Sequence, residues 1–239
     1  MEELMYHTHL KKGDVGRYVL LPGDPFRTDL IASFLDDAKL VAHHREHKTW
    51  TGYLNGEKVS VTSTGMGCPS TAIAVEELIK VGADTFIRVG TAGTVKDEKD
   101  KDIYDGVIVN AAVRDEGTTR QYIPIEYPAV ADRHVVDALS IAAKNIGGNY
   151  LEGISQSKDS FFGEVDPDCA PIGDHLKMKW KAWQKGNVAC SEMECAAIFV
   201  ISSIRGTRSS AIMNFKDMNQ TIQVACDAIK ILIEKDKVE

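Results

Sequence analysis

The stretch Asp84-Thr85-Phe86-Ile87-Arg88-Val89-Gly90-Thr91-Ala92-Gly93-Thr94-Val95 decides how this chain reads. Residues 85–89 form a short β-branched and aromatic run, which suits a buried strand. Arg88 interrupts that run one residue before its end. An arginine so late in an apolar strand lies near the carboxyl edge, where open α/β sheets bind ligands. Gly90-Thr91-Ala92-Gly93 then sets two glycines around a hydroxyl. Glycine lets backbone N–H groups approach an anion, and Thr91 adds a side-chain donor. A strand end whose arginine bends out to solvent accounts for the same residues.

On either side of this stretch, strand patterns alternate with helix patterns. Strands are expected at 18–21, 58–64, 105–113, 150–155 and 209–214, with a strand-like run at 40–42. Helices are expected at 26–35, 71–81, 130–146, 172–184 and 192–204. The last segment carries Ile222, Cys226, Ile229 and Ile233 at helical spacing. The hydrophilic run 96–102 reads as a solvated loop. No repeat, linker or low-complexity tract divides the chain, so residues 1–239 are expected to form one domain. Strands separated by helices predict a largely parallel sheet with helices on both faces.

Composition narrows the function classes. The chain has 239 residues, 44% of them apolar, which suffices for a sizeable core. A net charge of −7 argues against generic binding of nucleic acid or anionic membrane. An anion site must therefore be a local gathering of arginines. Five cysteines occur without a C-x-x-C pair or metal-ligand spacing, as expected in a reducing cytoplasm. No apolar run reaches membrane-spanning length, and residues 1–9 lack the apolar core of a signal peptide.

Three arginines follow or end strand-like segments. Gly23-Asp24-Pro25-Phe26-Arg27 leads from the first strand into a helix, whose N-terminus offers free N–H groups. Arg27 opposes that helix dipole unless it turns toward an anion. Arg45 sits in His44-Arg45-Glu46, and Arg88 is the third. Arginine binds phosphate oxygens through charge-assisted, bidentate bonds. Together with Gly23 and Thr91 the three would suffice for inorganic phosphate.

Other segments carry competing readings. Gly65-Met66-Gly67-Cys68-Pro69-Ser70 resembles a dinucleotide fingerprint, but Arg88 stands where an acidic residue should close the next strand. A tight turn is the better expectation, with nicotinamide binding the alternative. His43 and His47 would share a strand face, yet no further ligands accompany them and no metal is expected. Glu192-Met193-Glu194 opens an apolar helix. Its carboxylates could match the helix dipole, or accept from two adjacent sugar hydroxyls.

The ordered motifs resemble the nucleoside phosphorylases, in particular the uridine branch of the hexameric family. They are Pro22-Gly23-Asp24-Pro25 with Arg27, His44-Arg45-Glu46, Ser63-Thr64-Gly65-Met66-Gly67 leading to Pro69-Ser70-Thr71, and Arg88-Val89-Gly90-Thr91. Glu126-Tyr127-Pro128-Ala129-Val130-Ala131-Asp132, Asp159-Ser160-Phe161 and Glu192-Met193-Glu194 complete the set. The resemblance implies phosphate binding by Gly23, Arg27, Arg88 and Thr91, with Arg45 entering from a neighbouring subunit. It implies that Glu194 and Met193 hold the ribose and that His7 reaches it across a dimer. Ala92, Gly93, Phe161, Glu164 and Glu192 would line the base. Arg88, Glu194 and Thr91 would carry catalysis. A monovalent cation between subunits would match Glu46 and Ser70. The implied fold is a single-domain three-layer α/β/α architecture with a central mixed, largely parallel sheet, and the implied enzyme is a pentosyltransferase working as dimers, usually three to a hexamer, with inorganic phosphate as co-substrate and no cofactor.

Two segments depart from that pattern. Glu164 stands about where the family carries a glutamine against uracil, and no arginine follows it. A carboxylate accepts but does not donate, so a purine base becomes an alternative. Asp217 is a candidate for the aspartate that protonates a purine. The link 216–220 is shorter than the family's flap. Remaining alternatives are a nucleosidase using water, a nucleoside-binding protein without turnover, and a nicotinamide-dependent protein.

Overall fold

The structure is a computed structural model that describes residues 4–96 and 98–238. The first three residues of the N-terminal segment 1–9, and Asp97 of the run 96–102, lie outside the described residues.

In chain order the elements are β1 (Tyr18–Leu21), α1 (Pro25–Ala32), β2 (Asp36–His44), β3 (His47–Leu54) and β4 (Glu57–Thr62). They continue with α2 (Cys68–Lys80), β5 (Thr85–Thr91), β6 (Gly93–Thr94), α3 (Asp100–Ile103), β7 (Gly106–Asp115) and β8 (Ala129–Val130). Then come α4 (Arg133–Asn145), β9 (Tyr150–Lys158), α5 (Phe161–Val165), α6 (Gly173–Lys185) and β10 (Cys190–Glu192). The chain closes with α7 (Cys195–Arg205), β11 (Arg208–Asn214) and α8 (Met218–Asp236).

Ten of the strands lie in the order β2-β3-β4-β1-β5-β11-β7-β9-β10-β6, with β8 paired to β7. The centre is parallel: β1 pairs with β4 and β5, β5 with β11, β7 with β9, and β9 with β10. β11 runs antiparallel to β7, and the β2–β3–β4 meander is antiparallel. Strand alternation sorts the core into two layers. Val19, Leu21, Phe86, Ala211 and Met213 pack with α2 and α7. Tyr18, Leu20, Ile87, Val89 and Ile212 pack with α4 and α8. The expected mixed, largely parallel three-layer architecture is the one observed.

Several element boundaries differ from expectation. β3 was not legible as a strand, because His47 and Thr49 are polar yet buried; Thr49 is satisfied by Thr62 at 3.0 Å. Glu192 closes β10 instead of opening a helix, and α7 begins at Cys195. β5 runs on to Thr91, so Arg88 lies in the strand's interior and Gly90 is a strand residue paired with Met213. A Cβ at Gly90 would meet Met213 Cε at 2.7 Å and the Arg88 guanidinium at 3.0 Å. The missing side chain therefore lets Arg88 fold back over its own strand. Residues 100–102 of the expected loop form α3 together with Ile103.

Candidate functional site

Arg88 shares its sheet face with Phe86, toward α2 and α7. Its side chain is 5% exposed, and two carboxylates meet it there. Glu194 Oε2 contacts Nη2, and Glu192 Oε2 lies 3.2 Å from Nε without the alignment of a hydrogen bond. Burial alone would lower the Arg88 pKa, but Glu194 and then Glu192 raise it above its ordinary value. Nη1 has no hydrogen-bond partner. The position of a Cβ on Gly23 would be 3.9 Å from that nitrogen and 3.4 Å from Gly65 O.

The charge of Arg27 lies near enough to Arg88 to be felt by it. The loop after β1 turns through Pro22 and Gly23, and Asp24 caps α1 by accepting from Phe26 N at 2.9 Å. This places Arg27 in the first turn, half-buried. Burial lowers its pKa, and the nearby Arg88 charge lowers it further, against the pull of Asp24. Among the described residues no carboxylate forms an ion pair with the Arg27 guanidinium. Two guanidinium groups, each with unpaired donors, thus converge beside Gly23. Such an arrangement suits a tetrahedral anion. Thr91 closes the same strand as Arg88, on the exposed side, and Gly93 opens β6 with free space around its Cβ position.

The glycine turn before α2 has a different task from binding an anion. Gly67, at φ +87°, donates its N–H to Glu194 Oε1 at 2.8 Å. Met193 N donates to Glu194 Oε2 at 3.2 Å. The turn therefore positions a carboxylate, and the Gly67 N–H is not free for a pyrophosphate. Burial and the neighbouring Glu192 charge push the Glu194 carboxyl above its ordinary range; Arg88 and the two N–H donors only partly offset this.

Glu192 is placed differently from the base-lining role that the resemblance implies. Its Oε2 accepts from Glu194 N at 2.7 Å and Cys195 N at 2.9 Å, at the start of α7. Its Oε1 takes the hydroxyls of Ser155 and Ser157. The side chain is fully buried. It caps a helix and holds Arg88, so the dipole-matching reading applies to this residue of the pair.

A second polar cluster occupies the other face of the same strand ends. Lys158, the last residue of β9, donates to Glu164 Oε1 at 3.0 Å and to Ser191 Oγ at 2.6 Å. Ser191 Oγ is 2.7 Å from Glu164 Oε2 and 2.6 Å from Gln156 Oε1. Gln156, Lys158 and Glu164 border a cavity of about 360 Å³, completed by α6 with Leu176 and Trp180. Phe161 and Phe162 meet edge to face at the start of α5, and Lys158 Nζ lies 5.9 Å from the Phe161 ring centre. No arginine follows Glu164, but the carboxylate has a cation in Lys158. Its cation comes from upstream, where no motif marked Lys158.

His7 and the His44-Arg45-Glu46 turn form a separate patch. Glu77 fixes His7 through Nδ1 at 2.7 Å and through its backbone N–H. His44 Nδ1 meets His7 O at 2.8 Å. Arg45 is exposed at the β2–β3 turn with φ +54°, beside Glu46 and apart from Arg27 and Arg88. Ser70 Oγ donates to Glu46 Oε1 at 2.8 Å, so those two residues do meet. His43 is on β2 and His47 on β3, not on one strand face, and His47 is buried against Ser63 O. Asp217 caps α8 through Asn219 N, which gives it a structural task. Only residues 215–217 separate β11 from α8.

Sequence reasoning also passed over Arg114. Buried near the end of β7, it donates to the carbonyls of Thr119, Ile123, Pro124 and Tyr127. It thereby folds the 119–127 loop, which leads into the motif at 126–132. An arginine inside an apolar strand was the available signal, the same one that marked Arg88.

Comparison with known proteins agrees with this geometry. The Phosphorylase superfamily profile matches residues 17–226. A uridine phosphorylase of Treponema pallidum is 43% identical over 97% of this chain and 95% of its own length. One from Thermococcus kodakarensis is 42% identical over 99% of this chain and 89% of its own. A guanosine phosphorylase of Halorubrum lacusprofundi is 38% identical over 86% and 80%. The first alignment spans 249 positions against a chain of 239, so that relative carries residues absent here. With the paired arginines, the glycine-held carboxylate and this match over most of its length, the chain belongs to the Phosphorylase superfamily.

Proposed function

We propose that this protein is a nucleoside phosphorylase of the uridine type, a pentosyltransferase. It cleaves a nucleoside reversibly with inorganic phosphate to free base and ribose 1-phosphate. The observation that carries the reading is the unpaired Nη1 of buried Arg88, facing Gly23 with Arg27 beside it.

Phosphate is held by Arg88, Arg27 and the Gly23 backbone, with Thr91 as a further donor. Arg45 completes the site from a neighbouring subunit, which accounts for its position at an exposed turn. His7 reaches the partner's ribose in the same way, and its attachment to His44 keeps the two lent residues together. Dimers are the minimal unit, assembled as a hexamer, with a monovalent cation site at Glu46 and Ser70. Glu194 accepts from the ribose 2′ and 3′ hydroxyls, and Met193 packs on the sugar. The base lies against Phe161, Ala92, Gly93 and Glu164.

No protein nucleophile is needed. A phosphate oxygen forms a bond to the anomeric carbon as the bond from that carbon to the base nitrogen breaks. The electron pair leaves with the base, which takes up a proton. Positive charge grows on the sugar ring, between the phosphate and the Glu194 carboxylate. Fixing phosphate against the sugar is worth up to about 7–11 kcal/mol of the barrier. Electrostatic preorganisation by Arg88 and Glu194 adds to this. No cofactor takes part. Among the described residues no helix is long and apolar enough to cross a membrane. The acidic chain and its unpaired cysteines favour the cytoplasm.

The test is turnover of uridine with and without phosphate. Stoichiometric uracil and ribose 1-phosphate, formed only with phosphate, is the expected result. Release of ribose in phosphate-free buffer would identify a nucleosidase instead, and calorimetric binding without products would identify a binding protein.

A further inference from the structure

The charges around Arg88 balance only while no anion is bound. Arg88 turns Nη2 to Glu194, sets Nε 3.2 Å from Glu192, and leaves Nη1 for an anion next to Gly23. Arg88 and Arg27 supply two positive charges, and Glu192 and Glu194 cancel them. A phosphate dianion adds two negative charges, and Arg45 from a neighbouring subunit offsets one. Three guanidinium groups then face four negative charges, in a site where the Arg88, Glu192 and Glu194 side chains are 5%, 0% and 4% exposed. An uncompensated charge at that depth is costly, and a proton is the ordinary remedy.

The surrounding groups decide where the proton goes. On the β10 side, Glu192 accepts from Glu194 N, Cys195 N and Ser157 Oγ, and Ser157 Oγ already accepts from Ala196 N. An added proton there would meet donors. On the α2 and α7 sides, burial pushes the Cys68 and Cys195 thiols up, so they stay neutral. Glu116, after β7, acts on Cys68 and is held by Thr119. On the α1 side stand Arg27 and its neighbour Asp24. Glu194 differs from all of these. Its Oε1 has one donor, Gly67 N at 2.8 Å, and keeps a free lone pair. Burial and the Glu192 charge already push its carboxyl up, and Arg88 is the main group pulling it down. An anion on Nη1 takes a share of that one cation.

We infer that the anion site is proton-linked: a tetrahedral dianion bound between Arg88 and Arg27 draws a proton onto Glu194. This rests on the phosphorylase reading and adds how its two substrates are coupled. The proton passes from the buffer to a Glu194 oxygen, and no other bond forms or breaks. Sugar hydroxyls that donate to the carboxylate displace it again, so anion and ribose act on each other through the same group.

Sulfate is the probe, because it stays a dianion where phosphate itself titrates. Calorimetry of sulfate binding to the whole protein, in two buffers of different ionisation enthalpy, counts the protons taken up. Across a pH series uptake should reach about 0.5–1 proton per sulfate, and there the affinity should rise up to about tenfold for each pH unit lowered. Glu194→Gln keeps the side-chain shape but cannot take the proton, so its uptake should stay below about 0.1 per sulfate. Difference infrared spectra of the parent need no variant to fold: sulfate should bring in the C=O stretch of a protonated carboxyl, and labelling with 13C-glutamate should shift it. The two readings fail separately. Sulfate bound with proton uptake but no turnover of any nucleoside leaves the inference standing and refutes the phosphorylase reading. Phosphate-dependent turnover of uridine, with sulfate bound but no uptake and no carboxyl band, overturns the inference alone. Uptake that persists in Glu194→Gln also overturns it. So does failure to bind sulfate, with phosphate titrated alongside to show whether the anion site falls too.

Discussion

Replacing Arg27 by methionine separates anion binding from folding more cleanly than any other change. Arg27 sits half-buried with its charge near those of Asp24 and Arg88, and among the described residues no carboxylate forms an ion pair with it. Its removal therefore deprives the fold of no close ion pair, and the attraction to Asp24 that is lost is offset by relief of burial and of the like charge of Arg88. The melting temperature in phosphate-free buffer should hold or rise. Activity should collapse, because two charge-assisted bonds to phosphate contribute about 1.5–3 kcal/mol each. About 3–6 kcal/mol corresponds to a loss of about 10²–10⁴ in kcat/KM for phosphate, at about 1.4 kcal/mol per decade. Phosphate should raise the melting temperature of the parent and not that of Arg27→Met. Arg88→Met is the contrasting control. It leaves Glu192 and Glu194 buried without their cation, and breaking such a pair destabilises by about 3–5 kcal/mol. Initial rates over a phosphate series, with thermal melts, provide the assay. An Arg27→Met enzyme within about fivefold of the parent would refute the reasoning, as would one that melts well below it without phosphate.

Three further outcomes follow from single residues. Gly23→Ala places a Cβ at ordinary contact distances, 3.4 Å from Gly65 O and 3.9 Å from Arg88 Nη1, so melting should barely change; the same atom crowds the anion, and the phosphate KM should rise about tenfold, the value of one lost hydrogen bond. Because burial raises the Glu194 pKa and the ionised form holds the ribose, the acid limb of kcat/KM should lie above the ordinary carboxylate range in a pH–rate profile, not within it. Hydrogen bonding to Arg208 holds Asp236 at about 2, below its ordinary 3.8, so its stabilisation is complete above 3.8 and is lost as pH falls through about 2; Asp236→Asn should flatten that part of a stability-against-pH curve measured by denaturant melts.

The sequence signal for the proposed anion site was the arginine inside an apolar run, and the structure gives that arginine a buried setting. A charge in a buried strand must have a partner, and Arg88 has two carboxylates and a free nitrogen. What could not be read was the depth of Arg88, since Gly90 resembles a turn residue until its contact with Met213 is known. Gly65-Met66-Gly67 resembles a dinucleotide fingerprint locally, with a tight turn as the better expectation. Its N–H serves a carboxylate 127 residues away, and only tertiary structure shows that contact. Glu192 and Glu194 look equivalent in sequence. Strand alternation and the start of α7 separate them, one into a cap and the other into the gap beside Gly67. Strand β3 escaped because buried threonines and a buried histidine satisfy one another across strands, which no hydropathy pattern records. Lys158 escaped because a lysine at a strand end is ordinarily a solvated one.

A crystal structure of the protein soaked with inorganic phosphate tests the central claim most directly. The account predicts one anion bound between Arg88 Nη1, the Arg27 guanidinium and the Gly23 N–H, with Glu194 still held by Gly67. Phosphate bound elsewhere, with Arg27 turned to solvent and Nη1 of Arg88 left unpaired, would contradict it.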